Sequence, residues 1–105
     1  MRTLRIHPAA SEEAADAAGW YESERRGLGS DFEFALNAAI DVIEQDIVPL
    51  VPVRGAAGKL GVKRLVLRRF PYSVVVVERP HELLILAIAH QARRPGYWRS
   101  RLRAF

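Results

Sequence analysis

The chain has 105 residues, 50% of them hydrophobic and 27% charged, which suits one folded domain over residues 1–105 and excludes a disordered chain. It has no cysteine, which removes a disulfide framework, a thiolate metal site and a thiol nucleophile. The net charge of +4 hides a division: residues 1–48 carry four Lys/Arg against ten acids, net −6, and residues 49–105 carry twelve against Glu78 and Glu82 alone, net +10. Such a basic half attracts an anionic partner: nucleic acid, an acidic protein or the chain's own acidic half.

The opening "MRTLRIHP" lacks the apolar core of a signal peptide. The longest apolar run, Leu83–Ala89, is far short of the roughly 20 residues a membrane span needs. A soluble cytoplasmic protein with no membrane association is expected. "RTLRIH" alternates polar and apolar residues and predicts a strand over 2–7. Pro8 ends it and opens an alanine-rich helix, with acids early and Arg25 and Arg26 late to complement the helix dipole. Ala10, Ala14, Ala17, Ala18 and Tyr21 form one stripe whose small residues let a neighbour come close. The acids Glu12, Glu13 and Asp16 read as a solvated face.

After "GLG", Ser30 and Glu33 have the spacing of a capping box for a second helix over about 31–47. Its buried face is expected at Phe32, Leu36, Ala39, Ile40, Ile43 and Ile47. Residues 48–61 hold two prolines and three glycines and predict a long irregular connection. Three strands follow, over about 62–69, 72–79 and 82–90, with connections short enough for an antiparallel meander. The order β-α-α-β-β-β predicts an α+β sandwich, a helical hairpin packed on a small twisted sheet. The last two strands are apolar on both faces. A helical hairpin covers one, so the other must be covered by the C-terminal segment, by a partner, or by both.

"GAAGKLG" at Gly55–Gly61 is no phosphate loop: its spacing is short, and Leu60 stands where Ser or Thr would meet magnesium. It reads as a mobile loop. His7, His81 and His90 lie far apart, so neither a metal nor another cofactor is indicated. No serine sits in a G-x-S-x-G context. His90 ends the last strand with the side-chain parity of Leu84, Leu86 and Ile88. It is either packed against backbone or a general acid or base. Arg64 and Arg68 share one strand face and Arg69 the other. Tyr97 and Trp98 are either core anchors or a stacking surface for a base.

The run "HPAASEEAADAAGWYESERRGLGSDF", then "RRFPYSVVVV", then "LLILAIAHQARRPGYWRSR", resembles the RelE/ParE superfamily of type II toxin–antitoxin (plasmid stabilisation) toxins over nearly the whole chain. The resemblance implies the same sandwich fold and a small antitoxin partner whose acidic tail folds onto the toxin. It also implies one of two activities. RelE-like members cut messenger RNA in the ribosome, and here the set would be His90 with Arg64 or Arg69 and Tyr97. ParE-like members poison DNA gyrase. The RelE-type nucleases place an arginine at the start of the third strand, where this chain has Ser73, so the resemblance leans to the ParE-like branch. Arg68, Arg93, Arg94, Tyr97, Trp98, Arg99 and Arg101 are the expected surface for target or antitoxin, with direct nucleic-acid contact open. A third expectation is a related basic binding module without toxicity.

Overall fold

The computed structural model describes residues 3–47 and 49–104. Strand β1 (Thr3–Ile6) leads into helices α1 (Pro8–Glu24) and α2 (Leu28–Glu44). A two-residue strand β2 (Val51–Pro52), a single turn α3 (Ala56–Lys59) and strands β3 (Val62–Val66), β4 (Tyr72–Arg79) and β5 (Glu82–His90) follow, then a 3-10 turn at Arg99–Ala104. The five strands form one sheet in the order β1-β5-β4-β3-β2. β1 runs parallel to β5, and the other pairs are antiparallel. This is the α+β sandwich expected from the element order, with β2 and α3 added where an irregular, mobile connection was expected.

The helical hairpin closes tightly because its residues are small. Gly29 is buried at the start of α2, and a Cβ there would lie 2.6 Å from the Ala18 carbonyl oxygen. Gly27, at φ +86°, supplies the left-handed residue that the turn needs. The expected capping box does not form, since α2 begins at Leu28 and Ser30 and Glu33 lie inside it. The Glu22 carboxylate of α1 does that work, accepting from the backbone N–H groups of Gly27 and Gly29 at 3.0–3.1 Å. At the other end, His7 caps α1, with Nδ1 accepting from Ala9 N–H at 3.0 Å. The expected dipole pattern is absent, because the first turn of α1 holds no acid and its last turn no base. Ile47 falls beyond the end of α2, after a turn at Asp46 (φ +56°), and is 61% exposed rather than buried.

Both faces of β4 and β5 are covered within the chain. Beneath the helices, Val74, Val76, Leu83, Ile85 and Ile88 pack with Ala10, Ala17, Phe32, Leu36 and Ile43. Phe32 anchors an aromatic group there, with ring centroids 5.2–5.4 Å from Tyr21, Phe70 and Tyr72. On the opposite face, Val62, Val75, Val77, Leu84, Leu86 and Ala87 are covered by Ala57 of α3, Val53, Trp98, Tyr97 and Leu102. Of the covers open from sequence, the chain's own C-terminal segment is the one realised over β4 and β5.

A bulge corrects the expected parity of His90. Val75 faces Ala87 while Val76 faces Ile85, so β5 holds one extra residue at Leu86. Past the bulge the alternation flips. Leu84 and Leu86 look to the C-terminal segment, whereas Ile88 joins Leu83 and Ile85 under the helices. His90 follows Ile88 to that side, edge-on to Tyr72 at 5.0 Å.

Gly29→Ala tests the hairpin. Within a helix this change ordinarily stabilises by up to about 1 kcal/mol. Here it is expected to destabilise by about 1–3 kcal/mol, because the new methyl meets backbone rather than a flexible side chain. Urea unfolding of the two proteins gives the sign.

Candidate functional site

Past Ile85, the last β5 residue that β1 pairs with, no strand among the described residues continues along that side of β5. Two backbone groups in the following stretch are met by side chains instead. Glu13 Oε1 accepts from Ile88 N–H at 3.1 Å, and Arg101 Nη1 donates to the Leu86 carbonyl at 3.1 Å. The two side chains also pair with each other, Arg101 Nη1 to Glu13 Oε1 at 2.8 Å and Nη2 to Oε2 at 3.0 Å. The Tyr97 hydroxyl donates to Glu13 Oε2 at 2.6 Å. Arg101 and Glu13 are 16% and 17% exposed in their side chains, so this bidentate pair is far better shielded than a surface ion pair.

The network sets the charge of its members. Burial alone would raise the Glu13 carboxyl, but hydrogen bonds from Arg101, Tyr97 and the Ile88 N–H outweigh it and hold the group below its ordinary value. Burial and the Glu13 acceptor push the Tyr97 phenol well above its usual range. The hydrogen bond to Glu13 raises Arg101 further. Glu13 was expected on a solvated face, and this is a correction. Its spacing, three after Ala10 and four before Ala17, already placed it on the buried stripe.

Of the expected nuclease set, His90 and Tyr97 line one cleft, whereas Arg64 and Arg69 lie elsewhere. Arg64 pairs across the ladder with Val75 and so lies on the face of the C-terminal segment, opposite to His90. Arg69 lies beyond β3, donates to Asp31 at 3.2 Å and stacks on Phe70. Tyr97 is committed to Glu13. His90 Nδ1 accepts from Ala92 N–H at 2.9 Å, which leaves Nε2 as the proton-bearing nitrogen of the neutral ring. Ser73 is 5% exposed on the face opposite the helices.

The expected binding surface divides in two. Arg68, Arg93, Arg94 and Arg99 are exposed and form no ion pair among the described residues. Trp98 is 6% exposed and Arg101 is held by Glu13, so these two build the fold rather than a docking surface. Tyr97 is half-buried, with the Arg93 guanidinium over its ring at 3.9 Å. Both acids of the basic half are occupied, Glu78 by Lys63 and Glu82 by Arg5 and Arg79. Arg54, Lys59, Arg64 and Arg103 likewise have no ion-pair partner among the described residues. Where β2 and β3 pair, the second face stays open: exposed Val51 lies opposite exposed Arg64, with Val66 further along at 45% exposure.

A cleft of about 360 Å³ lies beside the network, between α1, the ends of β4 and β5, and the C-terminal segment. Asp16, Trp20, Tyr21, Tyr72, His90 and Arg93 line it. Among the described residues, no group of three or more His, Asp or Glu could hold a metal ion, and no helix is long and apolar enough to cross a membrane.

The chain matches no family model and no curated protein. A chain from a solved structure described as "Chromosomal ParDE TA system from P. aeruginosa" superposes with a TM-score of 0.57 and 23% identity, covering 86% of this chain and 96% of that one. The fold is RelE/ParE-like. The likeness is thus in architecture.

Glu13→Ala is expected to cost about 2–4 kcal/mol, since it strands the Arg101 charge and the Ile88 N–H. A double-mutant cycle with Arg101→Ala should return a large coupling energy. Because Glu13 is depressed in the fold, its contribution is intact above about pH 4.3 and is lost as pH falls through the folded value. Tyr97 works the other way, its contribution being intact below about pH 10 and lost as pH rises through the folded value. Tyr21 and Tyr72 are raised by burial as well. Tyrosinate absorbance should therefore stay low at about pH 10 and emerge with alkaline unfolding, and the acid limb of the stability curve should flatten in Glu13→Ala.

Proposed function

We propose that the chain is the toxin of a type II toxin–antitoxin module, a ParE-like poison of DNA gyrase silenced by a small antitoxin with an acidic tail. The observation that carries this reading is the likeness to a chain of the ParDE system over nearly the full length of both. Charge supports it. Arg93, Arg94, Arg99 and Arg103 have no ion-pair partner among the described residues, and Val51 and Val66 leave apolar surface open around Arg64 at the β2–β3 edge. An acidic amphipathic segment satisfies both at once, with the electrostatic part guiding encounter and the apolar part holding the complex.

Gyrase is favoured over the ribosome because neither expected arginine joins His90 and Tyr97 in their cleft. A phosphorane needs a fixed cation close to the acid and base. Arg64 is on the wrong face for His90, Arg69 is bound to Asp31, and Ser73 stands where the resembling nucleases carry arginine. The expression of the chain without its partner is the test. Growth arrest with loss of supercoiling, DNA breaks and intact transcripts is the expected result. Transcripts cut in a translating extract, with His90→Ala abolishing the cutting, would replace this reading with a ribosome-dependent endoribonuclease. Unimpaired growth would leave a non-toxic binding module. Antitoxin affinity should fall steeply with added salt, and more gently once Arg64 and Arg68 are changed to glutamate.

A further inference from the structure

The cleft beside α1, which holds His90 and Tyr97 without an arginine of the nuclease set, suits a different occupant. Its aromatic rings meet at steep angles: Trp20 and Tyr21 at 79°, Tyr21 and Tyr72 at 66°, Tyr72 and His90 at 85°. A planar base would need two parallel faces to slide between. These rings present corners, which suit a compact group touched from several sides. Trp20 stands at the cleft 58% exposed, whereas the other tryptophan, Trp98, is packed away. A large ring left in water at a concave site is a binding feature more than a packing one.

The charge of the lining points the same way. Glu13 is answered by Arg101, but Asp16 is exposed and forms no ion pair among the described residues. Arg93 adds a further clue. Its guanidinium already lies on the Tyr97 ring at 3.9 Å, so the wall accepts a cation over a ring face. We propose that this cleft is an aromatic cage for one organic cation, an alkylammonium or guanidinium group, held by the exposed Trp20 ring and the Asp16 carboxylate, with Tyr21 and Tyr72 as its walls. The cation comes either as a free small molecule or as a lysine or arginine side chain of another protein. Arg93 is its internal competitor, by like charge and by occupying the Tyr97 face.

The test follows the Trp20 indole N–H signal by NMR during titration with choline and methylguanidinium, and with their uncharged counterparts, the carbon isostere of choline and methylurea. Saturable shifts with the cations alone are expected. Asp16→Asn should weaken binding about tenfold, and Trp20→Ala, followed by calorimetry, should abolish it. Arg93→Ala should tighten it. Asp16 and Trp20 are exposed, so circular dichroism should find both variants folded. Equal binding of the neutral compounds, no saturation with any cation, or weaker binding in Arg93→Ala would overturn the proposal. A capped arginine peptide that binds more tightly than methylguanidinium assigns the site to a partner's side chain, and equal binding assigns it to a free cation. The gyrase experiment is independent of each of these outcomes.

Discussion

A single carboxylate ties the three layers of this protein together. Glu13 leaves α1, receives the backbone of β5 at Ile88, and binds Arg101 and Tyr97 of the C-terminal segment. Each partner answers a separate need. The strand has backbone groups that β1 no longer flanks, the guanidinium is largely withdrawn from water, and the segment has to be fixed over the second sheet face. A half-buried charge is costly alone and tolerable when every lone pair is used. No buried side-chain polar atom among the described residues lacks a partner, so the cost is met.

That arrangement divides the molecule's apolar chemistry from its cationic chemistry. Trp98 and Leu102 are spent on the sheet, so most of the grease of the last two strands is internal. The guanidiniums are not spent in the same way. Among the described residues, Arg101 alone of those of the C-terminal segment is neutralised, while Arg93, Arg94, Arg99 and Arg103 stay in solvent. On the second sheet face, what remains for a partner is chiefly positive charge, with a narrow apolar strip at Val51 and Val66.

The sequence made the layers legible because their signals are local. Helical spacing at Phe32, Leu36 and Ile43, and the β-branched run Val74–Val77, each state their own conformation. The alanine stripe of α1 predicted a close helix contact, and Gly29 against Ala18 supplies it. What stayed hidden depends on residues far apart in the chain. One extra residue in β5 turns His90 to the other face, and no alternation pattern marks where a bulge will fall. Glu22 capping the next helix, and Glu13 meeting Arg101, need the tertiary fold before either partner is in reach. The expected capping box at Ser30 failed for the same reason, since a neighbouring helix provided the acceptor first.

The keystone pair spans 88 residues of sequence, and this orders events during synthesis. Trp98, Arg101 and Leu102 follow the greasy run Leu83–Ala89 closely in the chain, so the run and its cover leave the ribosome nearly together, long after Glu13. Until that cover docks, one side of the sheet has no lid, and it is then most open to chaperones, to self-association, or to a partner.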